Sequence, residues 1–324
     1  KSEINNVEVS IQGFVAETKA EADNTATSNT ILKAKNHSAN SLNINSYLDS
    51  LADANAGSTK ATVGIGVNLA STKAKDISTL NVDIAGTNTI TNSAIIKAIH
   101  NADVNSDMSA FNFGGLVGGG QKIRLESEVA SNTTGNIGGN FNANSTTIDF
   151  TTNRNSTLSK SSGSGSGILN VNDAAATNSL KGASILNITD YVSNNELNNK
   201  ISVKNTSTNA FKSSAGDGSG SVINISKQND TLDLSSSTTT NIINSTINSK
   251  DNVDFEVTNT TLLDDSGTMG GGGFIAVLYT NNERKYTSAA SLNLENTQIN
   301  AEIVRLMPNS EIRSNAESMR YRAV

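Results

Sequence analysis

Cysteine is absent from this 324-residue chain, which excludes disulfides and thiolate metal sites at the outset. Proline occurs once, at Pro308, so no proline-rich linker or tail is present. Tryptophan is missing as well, and aromatic residues make up only 4% of the chain. Two ordinary globular domains would fit the length, but they fill roughly spherical cores with large aromatics. A thin core of Val, Ile, Leu and Ala, repeated along an axis, suits this supply better. No run of about 18 apolar residues exists, so nothing crosses a bilayer as a helix. Charge of one sign is also lacking: the net charge is −6, with acids and bases interspersed. That pattern argues against nucleic acid or an anionic membrane as a partner.

What the chain does have is periodic glycine. Clusters begin at Gly13, Gly64, Gly114, Gly163, Gly216 and Gly267 or Gly270, at intervals of 49 to 54 residues. An apolar run follows the later clusters at once, as in Ile168–Leu169–Asn170–Val171, Val222–Ile223–Asn224–Ile225 and Phe274–Ile275–Ala276–Val277–Leu278. Self-similarity of this kind marks a solenoid, in which each unit buries its apolar face only against its neighbours. Gly64, Gly114, Gly167, Gly220 and Gly272 are expected in tight turns before the apolar runs, where a Cβ would clash.

The apolar runs are short, alternating and β-branched, as in Leu80–Asn81–Val82–Asp83–Ile84 and Val253–Asp254–Phe255–Glu256–Val257. Period-2 alternation reads as strands with one buried face. Phe255, Val257, Leu292, Leu294, Ile223, Ile225, Ile275 and Val277 are expected inside, with Asp254, Glu256, Asn293 and Glu295 outside. Asparagine with Thr or Ser often follows a strand. Asn205, Asn259 and Asn296 are read as corner residues, because Asn tolerates the left-handed backbone and bonds the local main chain. Such residues can also stack as ladders between coils.

Hairpin signals are scarce: Asn-Gly is absent and Asp-Gly occurs only at Asp217–Gly218. The fold class is therefore all-β, a single right-handed parallel β-helix running over 1–324 with short excursions. Coils of about 20 residues would place two to three in each glycine interval, giving roughly 14 to 16 coils and a rod of about 65–80 Å. Two segments break the pattern. Residues 92–104 carry Ile95, Ile96 and Ile99 on one helical face and are expected to form a short helix or loop. The Ser/Gly run within 156–167 is expected to protrude as a turn.

Chemistry-bearing motifs are few. His37 and His100 are the only imidazoles, and no Gly-x-Ser-x-Gly elbow outside the low-complexity run at Gly163 to Gly167 supports a Ser–His–Asp site. Asp264–Asp265 is the sharpest acidic pair, but Ser266–Gly267 follows and the composition is that of a solvated turn. The glycines at Gly114–Lys122 lack the Gly-Lys-Ser/Thr ending of a phosphate loop. The reading is of a chain without catalytic residues, cofactor or metal.

Gly-rich bends leading into Ile/Val strands, Asn–Thr corners such as Asn296–Thr297 and the absence of Cys resemble large bacterial surface exoproteins. The similar groups are filamentous-haemagglutinin-like proteins of two-partner secretion and autotransporter passengers. Cysteine avoidance suits a protein that is unfolded during export. The resemblance implies a non-catalytic segment of a longer extracellular adhesin, a stalk or a contact surface. It would be exported through an outer-membrane transporter and would contact a host or bacterial cell-surface receptor. A β-helix polysaccharide lyase or depolymerase, and a phage fibre or surface-layer component, are the alternatives.

Overall fold

The computed structural model of the chain describes residues 2–10, 14–113, 117–165, 167–193, 200–272, 274–316 and 320–323. All regular structure among them is β, and every pairing is parallel. The strands are β1 (Ser2–Ser10), β2 (Phe14–Thr62), β3 (Ile65–Phe113), β4 (Gly118–Asn142), β5 (Ser145–Gly165), β6 (Leu169–Ser193) and β7 (Lys200–Gly220), followed by β8 (Ile223–Ile243), β9 (Thr246–Asn248), β10 (Asn252–Gly272), β11 (Ile275–Glu295), β12 (Gln298–Asn300), β13 (Ile303–Ala316) and β14 (Arg320–Ala323). They form one sheet, ordered β11-β8-β6-β4-β3-β5-β7-β10-β13 along its main path. The fold is a parallel β-helix.

Its coil is far longer than expected. Ser2 lies beside Ala54, Phe14 beside Gly66, Gly118 beside Leu169 and Ser145 beside Lys200, offsets of 52, 52, 51 and 55 residues. One glycine interval is therefore one whole coil, and the chain makes about six coils with a height of about 29 Å. The reason lies in the arms. Each coil has two long arms, such as β10 and β11 with 21 residues each, and nothing within an arm turns the backbone. An arm of that length spans about 70 Å. The molecule is a broad slab, not a long rod.

The two arms face each other across the interior. At one end they are joined by a short side, β9 or β12 of three residues. At the other end β2 and β3 are separated by two residues only, Val63 and Gly64. The interior follows this wedge. Beside the short side it holds large groups, including Phe141 and Tyr191 stacked at 5.2 Å, with Ile90, Ile247 and Phe255. Toward the glycine bends it holds mainly small ones, such as Ala20, Ala56, Ala70 and Ala110.

One corner beside the short side repeats in every coil from the second onward. Gly86 (φ 110°), Gly139 (φ 92°), Asp190 (φ 52°), Asn244 (φ 51°) and Asn296 (φ 48°) all have positive φ. Their spacings of 53, 51, 54 and 52 residues match the coil. Gly, Asn and Asp are the residues that enter this region at least cost, which explains the composition of the column. Asn296 is thus a corner residue, as expected.

Several expectations are corrected. Residues 92–104 are strand within β3, not a helix, because their isoleucines sit in register with β2 and β5 of the neighbouring coils. Residues 156–165 are the end of β5, paired to β7, so the Ser/Gly run does not protrude. Phe255 and Val257 are buried as expected, and Leu292 packs against the core. Leu294 also sits over buried Ile242, although on the outermost coil it is 39% exposed. Ile225, Ile275 and Val277, however, point outward and are 41%, 52% and 53% exposed, and Ile223 is only half-buried. Asn224 and Ser226 take the inward places.

Candidate functional site

The glycine-bend end explains that inversion. Its narrow interior is filled by amides and hydroxyls that tie one arm to the other. Asn112 Nδ2 donates to Gly120 O at 2.9 Å, Gln121 Nε2 to Gly163 O at 2.8 Å, and Asn172 Nδ2 to Ser164 Oγ at 2.8 Å. Small polar groups that satisfy backbone carbonyls fit where opposed β-branched side chains do not. The alternation is then fixed, and the Ile and Val between these polar residues face solvent.

They form an apolar ridge. Parallel register stacks Ile65, Gly118, Leu169, Ile223 and Ile275 in one column and Val67, Gly120, Val171, Ile225 and Val277 in another. Beside them at the bend, Val117, Ile168, Val222 and Phe274 are 54%, 53%, 49% and 93% exposed. The ridge runs from the second coil to the sixth, carried in the third by Val117, since Gly118 and Gly120 occupy both columns there.

Mid-arm, the interior holds a buried polar chain. His100 Nε2 lies 2.9 Å from Ser78 Oγ, and Ser78 donates to Asp76 Oδ2 at 2.7 Å. His100 Nδ1 lies 3.0 Å from Thr133 Oγ1, which accepts from Thr152 Oγ1 at 2.8 Å. A consistent set of donors runs from Thr152 through Thr133 and neutral His100 to Ser78 and ends on the Asp76 carboxylate; the tautomer with the proton on Nε2 is the one this network selects. Asp76 also accepts from Asn24 and Ser50. Arg154 lies alongside, donating to Ser131 O at 3.1 Å, to Ser131 Oγ at 2.9 Å and to Asn209 Oδ1 at 3.1 Å. Burial, then the Arg154 charge, holds the His100 pKa down to about 4, and burial lowers that of Arg154 to about 10.

Ser, His and Asp do meet here, but not as a nucleophilic triad. Serine stands between His and Asp, whereas a triad needs His between the other two. All three are 0% exposed, so no substrate reaches the hydroxyl. His37 sits elsewhere, opposite Asn88. Ser164 of the Gly-Ser run lies inside a strand and is buried, not raised on an elbow.

The acidic pair is split by strand alternation. Asp264 faces outward, beside a groove of about 500 Å³ lined by Asn155, Thr157, Lys212, Leu262 and Arg313 among others. Asp265 faces inward and is bridged by Arg284 of the opposite arm. Two adjacent carboxylates on opposite faces cannot share one substrate.

Of the glycines expected in turns, Gly64 and Gly167 lie in bends, Gly220 and Gly272 end β7 and β10, and Gly114 falls outside the described residues. Gly220 has open space where a Cβ would lie, so crowding does not require glycine there. Close approaches occur elsewhere, as at Gly135, where a Cβ would meet Phe150 Cζ at 2.4 Å, at Gly182, where it would meet Ser131 O at 2.1 Å, and at Gly139, where it would meet Gly86 O at 2.1 Å. Asn205 and Asn259 are not corner residues. Both are buried inside strands, Asn205 donating to Thr239 O at 2.9 Å and Asn259 to Ala289 O at 3.0 Å. The expected ladder exists on other residues: Asn187, Asn241 and Asn293 each donate to the Asn one coil before, starting from Asn136, at 2.9, 2.9 and 2.8 Å.

Outer charges pair between coils, as in Lys75–Glu128 at 3.0 Å, Lys181–Asp233 at 3.0 Å and Arg305–Asp254 at 2.9 Å. Among the described residues no group of His, Cys, Asp and Glu is arranged to hold a metal ion, and no helix is long and apolar enough to cross a membrane. No family model, no curated protein and no solved structure matches the chain.

Proposed function

We propose that this chain is a non-catalytic segment of a bacterial cell-surface or secreted adhesin, and that its broad faces are the contact surface. The observation that carries this reading is the partition of chemistry between inside and outside. The cluster in which Ser, His and Asp meet, formed by Ser78, His100 and Asp76, is sealed in the core. Solvent meets a regular lattice of Asn, Thr and Ser, stacked in ladders and pinned by ion pairs between coils. A lattice of that kind presents many weak polar contacts over a wide rigid area, which suits adhesion to a host or neighbouring cell surface. Arms of 21 residues make each face about 70 Å wide, which gives breadth for contact. Export through an outer-membrane transporter and an extracellular location belong to the same proposal.

Binding of the purified chain to host cells and to sibling bacteria tests it. Saturable binding that weakens when Thr206→Lys and Thr258→Lys disrupt the outer face supports the reading; no saturable binding to either cell type sinks it. The groove beside Asp264 favours one second reading, a polysaccharide depolymerase. Shortening of a polysaccharide that Asp264→Asn abolishes would establish that alternative.

A further inference from the structure

The apolar ridge at the glycine bends plays no part in that polar-face reading. We propose that it is a self-association surface, which takes the same ridge of a second copy in a two-fold, side-by-side dimer.

Four observations lead there. The first is extent. The exposed Val, Ile, Leu and Phe side chains of the ridge present about 1,000 Å² of accessible surface, more than the 300–600 Å² patch usual on a monomer. Covering most of it on both copies buries about 1,600 Å², the size of a standard stable interface. The second is depth of exposure at the bend column, where Val117, Ile168, Val222 and Phe274 are all about half exposed or more.

The third is spacing. Parallel register sets the ridge residues about 4.8 Å apart along the axis. A helix repeats at 5.4 Å and falls out of step by about 2.4 Å over the four steps between five coils. A second copy has the same interval and the same number of rows, and a two-fold contact places the patch against itself. The fourth is charge. The column flanking the ridge alternates in sign, Lys122, Asp173 and Lys227, so no block of like charge opposes approach. Arg124 already pairs with Asp173 at 2.6 Å, and Lys227 lies over the Tyr279 ring.

Sedimentation velocity of the full chain between about 1 and 100 µM tests the proposal. The chain should dimerise in that range, and Ile168→Lys with Val222→Lys should raise the dissociation constant about 100-fold or more, since each lysine would be buried without a partner. Circular dichroism and the urea midpoint should not change, because both side chains already face solvent. The absence of cysteine permits a second measurement. Ile168→Cys should form an intermolecular disulfide under mild oxidation, and Asn300→Cys on the opposite edge should not. A monomer at 100 µM, a dimer indifferent to the lysine substitutions, or cross-linking through position 300 alone each overturns the proposal. Apolar capture of something else, seen as a monomer whose ridge variants lose binding to cells, overturns it too. Cell binding by the polar faces is read separately, so either idea can fail without the other.

Discussion

Protonation of His100 should destabilise this protein as the pH falls from about 6.5 to 4. The ring is 0% exposed, and its pKa is held down to about 4. In the unfolded chain the same ring titrates near 6.5. Between these values the unfolded chain binds a proton that the native protein refuses, so stability is fully present above about 6.5 and is lost on going down. The gap, at about 1.4 kcal/mol per pH unit, corresponds to about 3 kcal/mol in full and about 2.5 kcal/mol at pH 4.5. Carboxylates elsewhere also titrate in this range, so the wild type alone does not isolate the effect. His100→Gln keeps a donor toward Ser78 and an acceptor toward Thr133 but cannot be protonated. Urea titrations at pH 7.5 and 4.5 should therefore show a smaller loss for the variant, by about 2.5 kcal/mol. Equal losses in the two proteins would refute the reasoning, and so would a larger loss in the variant.

Arg154→Ala should cost about 3 kcal/mol or more, Arg154→Met clearly less, and in either variant the His100 pKa measured by NMR should rise above about 4, because a nearby positive charge has gone. Gly135→Ala should cost about 1–3 kcal/mol in a denaturant titration through collision with Phe150, and adding Phe150→Leu should recover part of it. Asn244→Val should lower stability by about 1–2 kcal/mol while Asn244→Gly is near neutral, since φ there is 51°. Asp265→Asn should cost about 1 kcal/mol through its half-buried pair with Arg284, and Asp264→Asn should cost nothing measurable.

The sequence by itself determined the parallel β-helix, the interval of about 50 residues at which its pattern repeats and one true corner residue, Asn296. Those follow from local rules: period-2 alternation, glycine at fixed intervals, and the tolerance of Asn for positive φ. It did not determine how many coils fill one interval, because alternation looks the same in a strand of six residues and in one of 21. Nor did it determine which face is inside. Around Phe255 the apolar set is buried, whereas around Ile225 and Val277 the same pattern is inverted, and Asn224 and Ser226 lie within. Burial there depends on the width of the wedge and on which backbone carbonyls need a donor, and both are set by the facing arm and the neighbouring coil. The same long-range pairing brought Asp76, Ser78 and His100 of β3 together with Arg154 of β5, and the packing of the arms set Asp264 and Asp265 on opposite faces. Only the tertiary structure could decide these, because the contacts that fix them join one coil to the next and one arm to the other.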